Sequence, residues 1–233
     1  MLQARLAGAI ALITTTSGLA AIAVGNLVVL DDAAATARNI LANEMMLRLA
    51  VAGDAISLLY VAYTLLLYML FRPVGPGVAL LAAFFSLVGC AIGGFNTVFE
   101  LAPLVILHSV ASLGGFSEAQ LQSLALMFLQ LHAQAYAVGV VCFGIYNVLI
   151  GFLIYRSRFV PRALGVLLAI SGAGYLVNSF ATFLAPAVEV RLLPWILLPG
   201  LAELLVAFWL LIFGVKAQRW NELAARAAPA RPA

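Results

Sequence analysis

Charge is what this sequence has least of. Twelve Lys and Arg and nine Asp and Glu make up only 9% of its 233 residues. A soluble domain carries roughly 25% charged residues, so this chain cannot cover a water-facing surface, and a sizeable soluble domain is excluded. Cysteine is nearly absent. Cys90 and Cys142 both fall in apolar stretches, which excludes a disulfide framework and reads as two small buried hydrophobes. The two histidines, His108 and His132, form no HExxH or paired spacing, and there is no Cys–His cluster. No metal and no cofactor is therefore expected. No nucleophile-elbow sequence is present. The basic residues sit at the ends of apolar runs rather than in a patch interleaved with aromatics, which argues against nucleic acid as a partner.

What is present is apolar length. The chain is 65% hydrophobic with a mean hydropathy of +1.13, and apolar stretches near the ~20 residues needed to cross a bilayer recur along it. We read an all-α, six-span transmembrane helical bundle, with spans at about 5–29, 45–71, 78–107, 118–156, 162–184 and 192–217. "RPVGPG" (72–77) and "RFVPRALG" (158–165) are turns, because Pro and Gly interrupt a helix and the residue before Pro is pushed out of the α region. "SLGGFSEAQ" (112–120) is a third turn, with Ser117 and Gln120 forming a capping box. Asn43 and Glu44 are expected to cap the second span. "DDAAATARNILANE" (31–44) is too short and polar to span. Asp31 or Asp32 is expected to cap a short surface helix there, with Ile40 and Leu41 facing the bilayer.

Six spans put both termini on one side. Arg5, Arg72, Arg156, Arg158, Arg162, Lys216, Arg219, Arg226 and Arg231 then share the terminal side, against Arg38, Arg48 and Arg191 on the other. The positive-inside rule makes the richer side cytoplasmic. Residues 1–220 read as one membrane domain and 221–233 as a short basic cytoplasmic tail, with "AARAAPARPA" (224–233) disordered and facing anionic headgroups. Trp195 and Trp220 read as interfacial anchors, and Pro103 as a kink near Glu100.

Polar residues inside spans should share faces with small ones and point inward. Ser86, Gly89, Gly93, Asn96 and Glu100 follow one another at steps of three or four, and Gly89 and Gly93 form a GxxxG packing contact. Asp54, Ser57, Val61, Thr64 and Tyr68 make a second stripe, and His132, Tyr136, Gly139 and Phe143 a third. Ser171, Tyr175, Asn178 and Thr182 make a fourth, and Gly200, Glu203, Ala207 and Gly214 a fifth. By depth, Asp54, Asn96, Glu100, His132, Tyr136, Asn178 and Glu203 belong to the outer half or its rim. They are the candidate lining of an outward-facing polar hollow. An isolated carboxylate inside a span is costly, so each acid must be protonated, paired or wet. Arg48 is expected to pair with Glu44 at i,i+4. The alternative use of every one of these groups is to hold helices together.

The segments "ARLAGAIALI", "DAAATARNILANE", "LLLYMLFRPV", "LALMFLQLHAQAY" and "GFLIYRSRFVPRALGVLLAISGAGYLVNSF", followed by the Glu203 span, resemble the bacterial domain of unknown function 4386 family, with "IYRSRFVPRALG" the most specific block. The resemblance covers nearly the whole chain. It implies a six-helix multi-pass protein of the bacterial inner membrane and brings no established activity or catalytic residue. Three function classes follow. One is binding of a small molecule or ion in the hollow. A second is an intramembrane enzyme using Asp54, Glu100 and Glu203 with His132. The third is a structural or assembly partner in the envelope. We take the first as leading and a non-enzyme as the default. The expected partners are the lipid bilayer and an unidentified small-molecule ligand, and the sequence leaves the oligomeric state open.

Overall fold

A computed structural model describes residues 2–15, 24–109, 114–185 and 200–227. The structure is all-α. In chain order the helices are α1 (Leu2–Thr14), α2 (Ala33–Ala42), α3 (Glu44–Ser57), α4 (Tyr60–Phe71), α5 (Pro76–His108), α6 (Glu118–Ser157) and α7 (Arg162–Leu184). They are followed by α8 (Gly200–Ile212) and α9 (Ala217–Ala227).

Four stretches are long and apolar enough to cross a membrane: Glu44–Phe71, Pro76–His108, Glu118–Ser157 and Arg162–Leu184. A fifth is obtained if α8 and α9, bent by 96°, are taken as one. At 1.5 Å per residue, the 23 residues of α7 reach about 35 Å, enough for a ~30 Å hydrocarbon core. The 40 residues of α6 reach about 60 Å and must extend beyond it. Of the first and sixth spans expected from the sequence, residues 16–23 and 192–199 lie outside the described residues, as do Trp195, Arg191 and Arg231.

Polarity is distributed as lipid requires. Phe84, Phe95, Val98, Ile170 and Leu184 are exposed on helix surfaces, whereas Thr64, Ser86, Asn96, Glu100, Asn147, Ser171 and Ser179 are buried. Large apolar side chains outside and hydroxyls and amides inside reverse the soluble pattern.

The chain forms two compact units. The first comprises Met1–Leu12, Leu59–Gly89 and Gly139–Ala233; the second comprises Ile13–Leu58 and Cys90–Val138. In the first unit, the apolar core gathers around Leu67, Phe71, Tyr146, Leu153, Ile154, Phe159 and Leu210. Its α6 and α7 meet backbone to backbone. A Cβ built on Gly151 would stand 2.5 Å from the Gly165 carbonyl oxygen, and one on Gly144 would stand 3.0 Å from that of Gly172. These glycines are seven apart on both helices, so "GIYNVLIG" and "GVLLAISG" mesh as an antiparallel pair whose backbones approach as only glycine allows. Gly8 of α1 is as tightly placed, with an added Cβ 2.5 Å from the Leu211 nitrogen. Gly8 of "RLAG" and Gly165 of "RALG" thus both mark helix crossings.

The turn that closes α4 explains the place of Trp220. Val74 N–H bonds to the Phe71 carbonyl, which leaves the Leu70 carbonyl without its usual donor at the helix end. The Trp220 indole N–H supplies it at 3.0 Å. Trp220 reaches this point because Gly214, at φ +65°, ends α8 and α9 turns away by 96°. The last apolar helix, α8, therefore stops at Ile212, whereas the span read from the sequence ran to 217. The basic segment from 221, expected as a tail, is helical as far as Ala227. Arg158, at φ 59°, ends α6 in the left-handed conformation common just past a helix.

In the second unit, Ile40, Leu47, Leu104, Leu121, Ala125 and Leu129 form the core. Ile40, expected to face lipid, is fully buried, while Leu41 is 47% exposed. The side chain of Asp32 accepts from Ala35 N–H at 2.8 Å and caps α2. Ser117 and Gln120 form the reciprocal capping box that opens α6, with Ser117 N–H to Gln120 Oε1 at 2.8 Å and Gln120 N–H to Ser117 Oγ at 3.3 Å. Asn43 does not cap α3 through its side chain. Its amide instead donates backward to the Asn39 carbonyl at 2.9 Å, closing α2. The helix α5 runs unbroken through Pro103.

Candidate functional site

In the second unit α3 and α5 run antiparallel, and three contacts fix their register. His108 meets Glu44 at 3.0 Å, the carboxyls of Asp54 and Glu100 lie close enough to interact, and Leu58 packs where a Gly94 side chain would begin. Ten residues along α3 thus take the pairing from the rim to the middle of the span. At the rim Arg48 holds Glu44 Oε1 with two nitrogens, at 2.8 and 2.6 Å. That is the i,i+4 pair expected, and it leaves Arg48 committed away from the inner acids.

The inner acids are built differently. Glu100 is 1% exposed and Asn96, one turn earlier on α5, is 3% exposed. The Asn96 amide nitrogen donates to the His132 carbonyl at 3.1 Å, which fixes the orientation of the side chain. Its Oδ1 then has no partner among the described residues, and neither does Glu100 Oε2. The His132 ring, half-buried, stands at the hydrogen-bond limit, with Nδ1 3.5 Å from the Asn96 carbonyl oxygen. Gln130 and Gln134 on either side are exposed. The cluster therefore presents two buried, unanswered oxygen acceptors beside a carboxyl pair.

In the first unit Glu203 of α8 has partners from two other helices. Asn147 Nδ2 of α6 donates to its Oε1 at 2.7 Å, and Tyr175 of α7 forms a second side-chain hydrogen bond. Around it stand Tyr60 and Tyr63 of α4, with ring centroids 4.9 Å apart, and Tyr60 lies 5.2 Å from Phe143. Nearby on α4, the Thr64 and Ser86 hydroxyls meet at 2.5 Å. Asn178 Oδ1 and Ser179 Oγ are buried without a partner among the described residues, one turn beyond Tyr175.

Of the residues singled out in the sequence, the structure brings Asp54, Asn96, Glu100 and His132 together in the second unit. Tyr136 belongs to the same unit, 52% exposed. Asn178 and Glu203 belong to the first. An added Cβ at Gly89 would meet the Phe143 ring at 3.0 Å, whereas at Gly93 it would meet nothing within 4 Å. Asn147 and Tyr60 were not singled out. One more step of four along the His132–Phe143 stripe would have reached Asn147.

A family model described as a domain of unknown function, DUF4386, matches residues 6–214. The chain belongs to this family. It is also 30% identical over 162 residues to an uncharacterised protein of Archaeoglobus fulgidus, an alignment covering 69% of this chain and 80% of the relative. No solved structure matches. Within this DUF4386 chain the match takes in both acid clusters, and the described part of α9 lies beyond its end.

Proposed function

We propose that this DUF4386 protein is a six-span protein of the cytoplasmic membrane, with both termini inside, that binds a small solute or ion at the Asp54–Asn96–Glu100 cluster. The observation that carries the binding role is the pair of orphaned acceptors, Asn96 Oδ1 and Glu100 Oε2, both buried. A buried polar atom left unbonded costs roughly 1–3 kcal/mol, a cost that purely structural glue would have no reason to keep. A ligand with hydrogen-bond donors or positive charge answers both atoms. The orientation is supported by nine basic residues on the terminal side against three on the other.

Two experiments test this. A reporter active only in the periplasm stays silent when fused to the C-terminus and becomes active when inserted at 114–117; activity at the C-terminus refutes the orientation. For binding, a panel of small cations and amines is screened for thermal stabilisation of the purified protein. At least one member should stabilise the parent and fail to stabilise Asp54→Asn and Glu100→Gln. If no member does, or if stabilisation survives both substitutions, the site is lost.

A further inference from the structure

We propose that the ligand of this cluster is a monovalent alkali cation of sodium's size, held by oxygen atoms from Asp54, Asn96, Glu100 and the broken end of α3. This rests on the binding role just proposed and narrows it.

The argument starts from which atoms are offered. Every free atom at the cluster is an oxygen acceptor: Asn96 Oδ1 and Glu100 Oε2 directly. No Arg or Lys approaches, since Arg48 is committed to Glu44 and Arg38 forms no ion pair among the described residues. Among the described residues no three His, Cys, Asp or Glu side chains come together, so the set does not suit zinc or another transition metal. Hard cations take all-oxygen sites. Calcium calls for six to eight such ligands with several carboxylates; here the cluster has two carboxyls and one amide oxygen.

The second line is the break at residues 58–59. The span Glu44–Phe71 is one apolar stretch, yet its helix stops at Ser57 and restarts at Tyr60. Leu58 N–H turns to the Ala55 carbonyl, and Ala62 N–H goes to Leu59. The Ser57 hydroxyl takes over the Asp54 carbonyl at 2.5 Å. The Leu58 carbonyl is thereby deprived of its helical donor. By the register of 54 with 100 and 58 with 94, the break lies at the level of Gly94, about half a turn along α5 from Asn96. Interrupted helices whose freed carbonyls meet side-chain oxygens at mid-membrane are a recurrent way to hold an alkali cation.

The test uses the full-length protein in detergent. Thermal unfolding is followed in sodium, lithium, potassium and choline chloride at constant ionic strength, with equilibrium binding of radioactive sodium in parallel. Sodium should raise the melting temperature saturably by several degrees over choline and should bind in a one-to-one ratio. Glu100→Gln and Asn96→Leu should each weaken binding by about tenfold or more, the loss expected for one ligand's worth of free energy. Thr64→Val, at a buried hydroxyl pair of the first unit, should leave sodium affinity unchanged. Asp54→Asn serves should either of the first two fail to fold. Equal melting temperatures in all four salts, or unchanged sodium affinity in the folded variants, overturn the proposal. If an amine stabilises the parent through the same residues while no alkali ion does, the cation assignment falls and the binding role stands. If neither stabilises it, both fall.

Discussion

The two units each hold acid among their helices, and they treat it in opposite ways. In the first, Glu203 meets Asn147 and Tyr175 from two neighbouring helices. In the second, Asp54 and Glu100 meet each other, and an oxygen of Glu100 and one of Asn96 are left over. The surrounding charge follows the same division. Arg5, Arg72, Arg156, Arg158, Arg162, Lys216, Arg219 and Arg226 all belong to the first unit, with Glu203 and Glu222 as its described acids. The second has Arg38 and Arg48 against Asp31, Asp32, Glu44, Asp54, Glu100 and Glu118. A carboxylate satisfied by amide and phenol donors is a fastening. One that keeps an open oxygen in an acidic setting is suited to receive a cation.

The contrast can be broken most forcefully at the glycines. Replacing Gly151 or Gly165 with Leu sets a side chain against the facing backbone, and with no flexible neighbour to yield the cost should exceed the ~1–3 kcal/mol usual for overpacking. The expected readout is loss of the monodisperse folded species on size exclusion in detergent; a parent-like profile would show that α6 and α7 do not meet there. Next in size is Asn147→Ala. It takes one of two donors from the Glu203 carboxyl and empties a buried amide's place, and should cost about 1–3 kcal/mol in unfolding experiments. A melt indistinguishable from the parent would mean that Glu203 is not fastened as described. Smaller is Glu100→Gln, which removes an acid already short of partners. It should change stability by less than about 1 kcal/mol, because the lost contact is offset by relieved desolvation. A loss as large as that of Asn147→Ala would erase the difference between the units. Smallest is Gly93→Ala. With open space at its Cβ, it should stabilise by roughly 0.5–1 kcal/mol through helix propensity, while Gly89→Ala, against Phe143, should not.

Much of this was legible in residue order because the helices are apolar enough, and long enough, to suit a bilayer. Bilayer thickness sets helix length, and the seam at Arg162–Leu184 matched its sequence reading residue for residue. The Ser117–Gln120 box and the Arg48–Glu44 pair were readable because both are local, spanning three or four residues. The break at 58–59 was not, since "SLLYVA" is as apolar and helix-competent as its flanks and only packing distinguishes it. Ile40 misled for a related reason: an isoleucine reads the same whether it faces lipid or core, because both are apolar. The GxxxG at Gly89 and Gly93 drew attention from the seven-residue spacing at Gly144, Gly151, Gly165 and Gly172, where the close approach occurs.

Sequence by itself determined the class, the family, the apolar spans and which few polar residues they carry, because each follows from composition and periods of three to four residues. Tertiary structure alone decided which acids meet which partners. Asp54 found Glu100, 46 positions away, and Glu203 found Asn147, 56 away. No local rule links such positions. A carboxylate's chemistry depends on the donors that reach its oxygens, and that is settled only when helices pack.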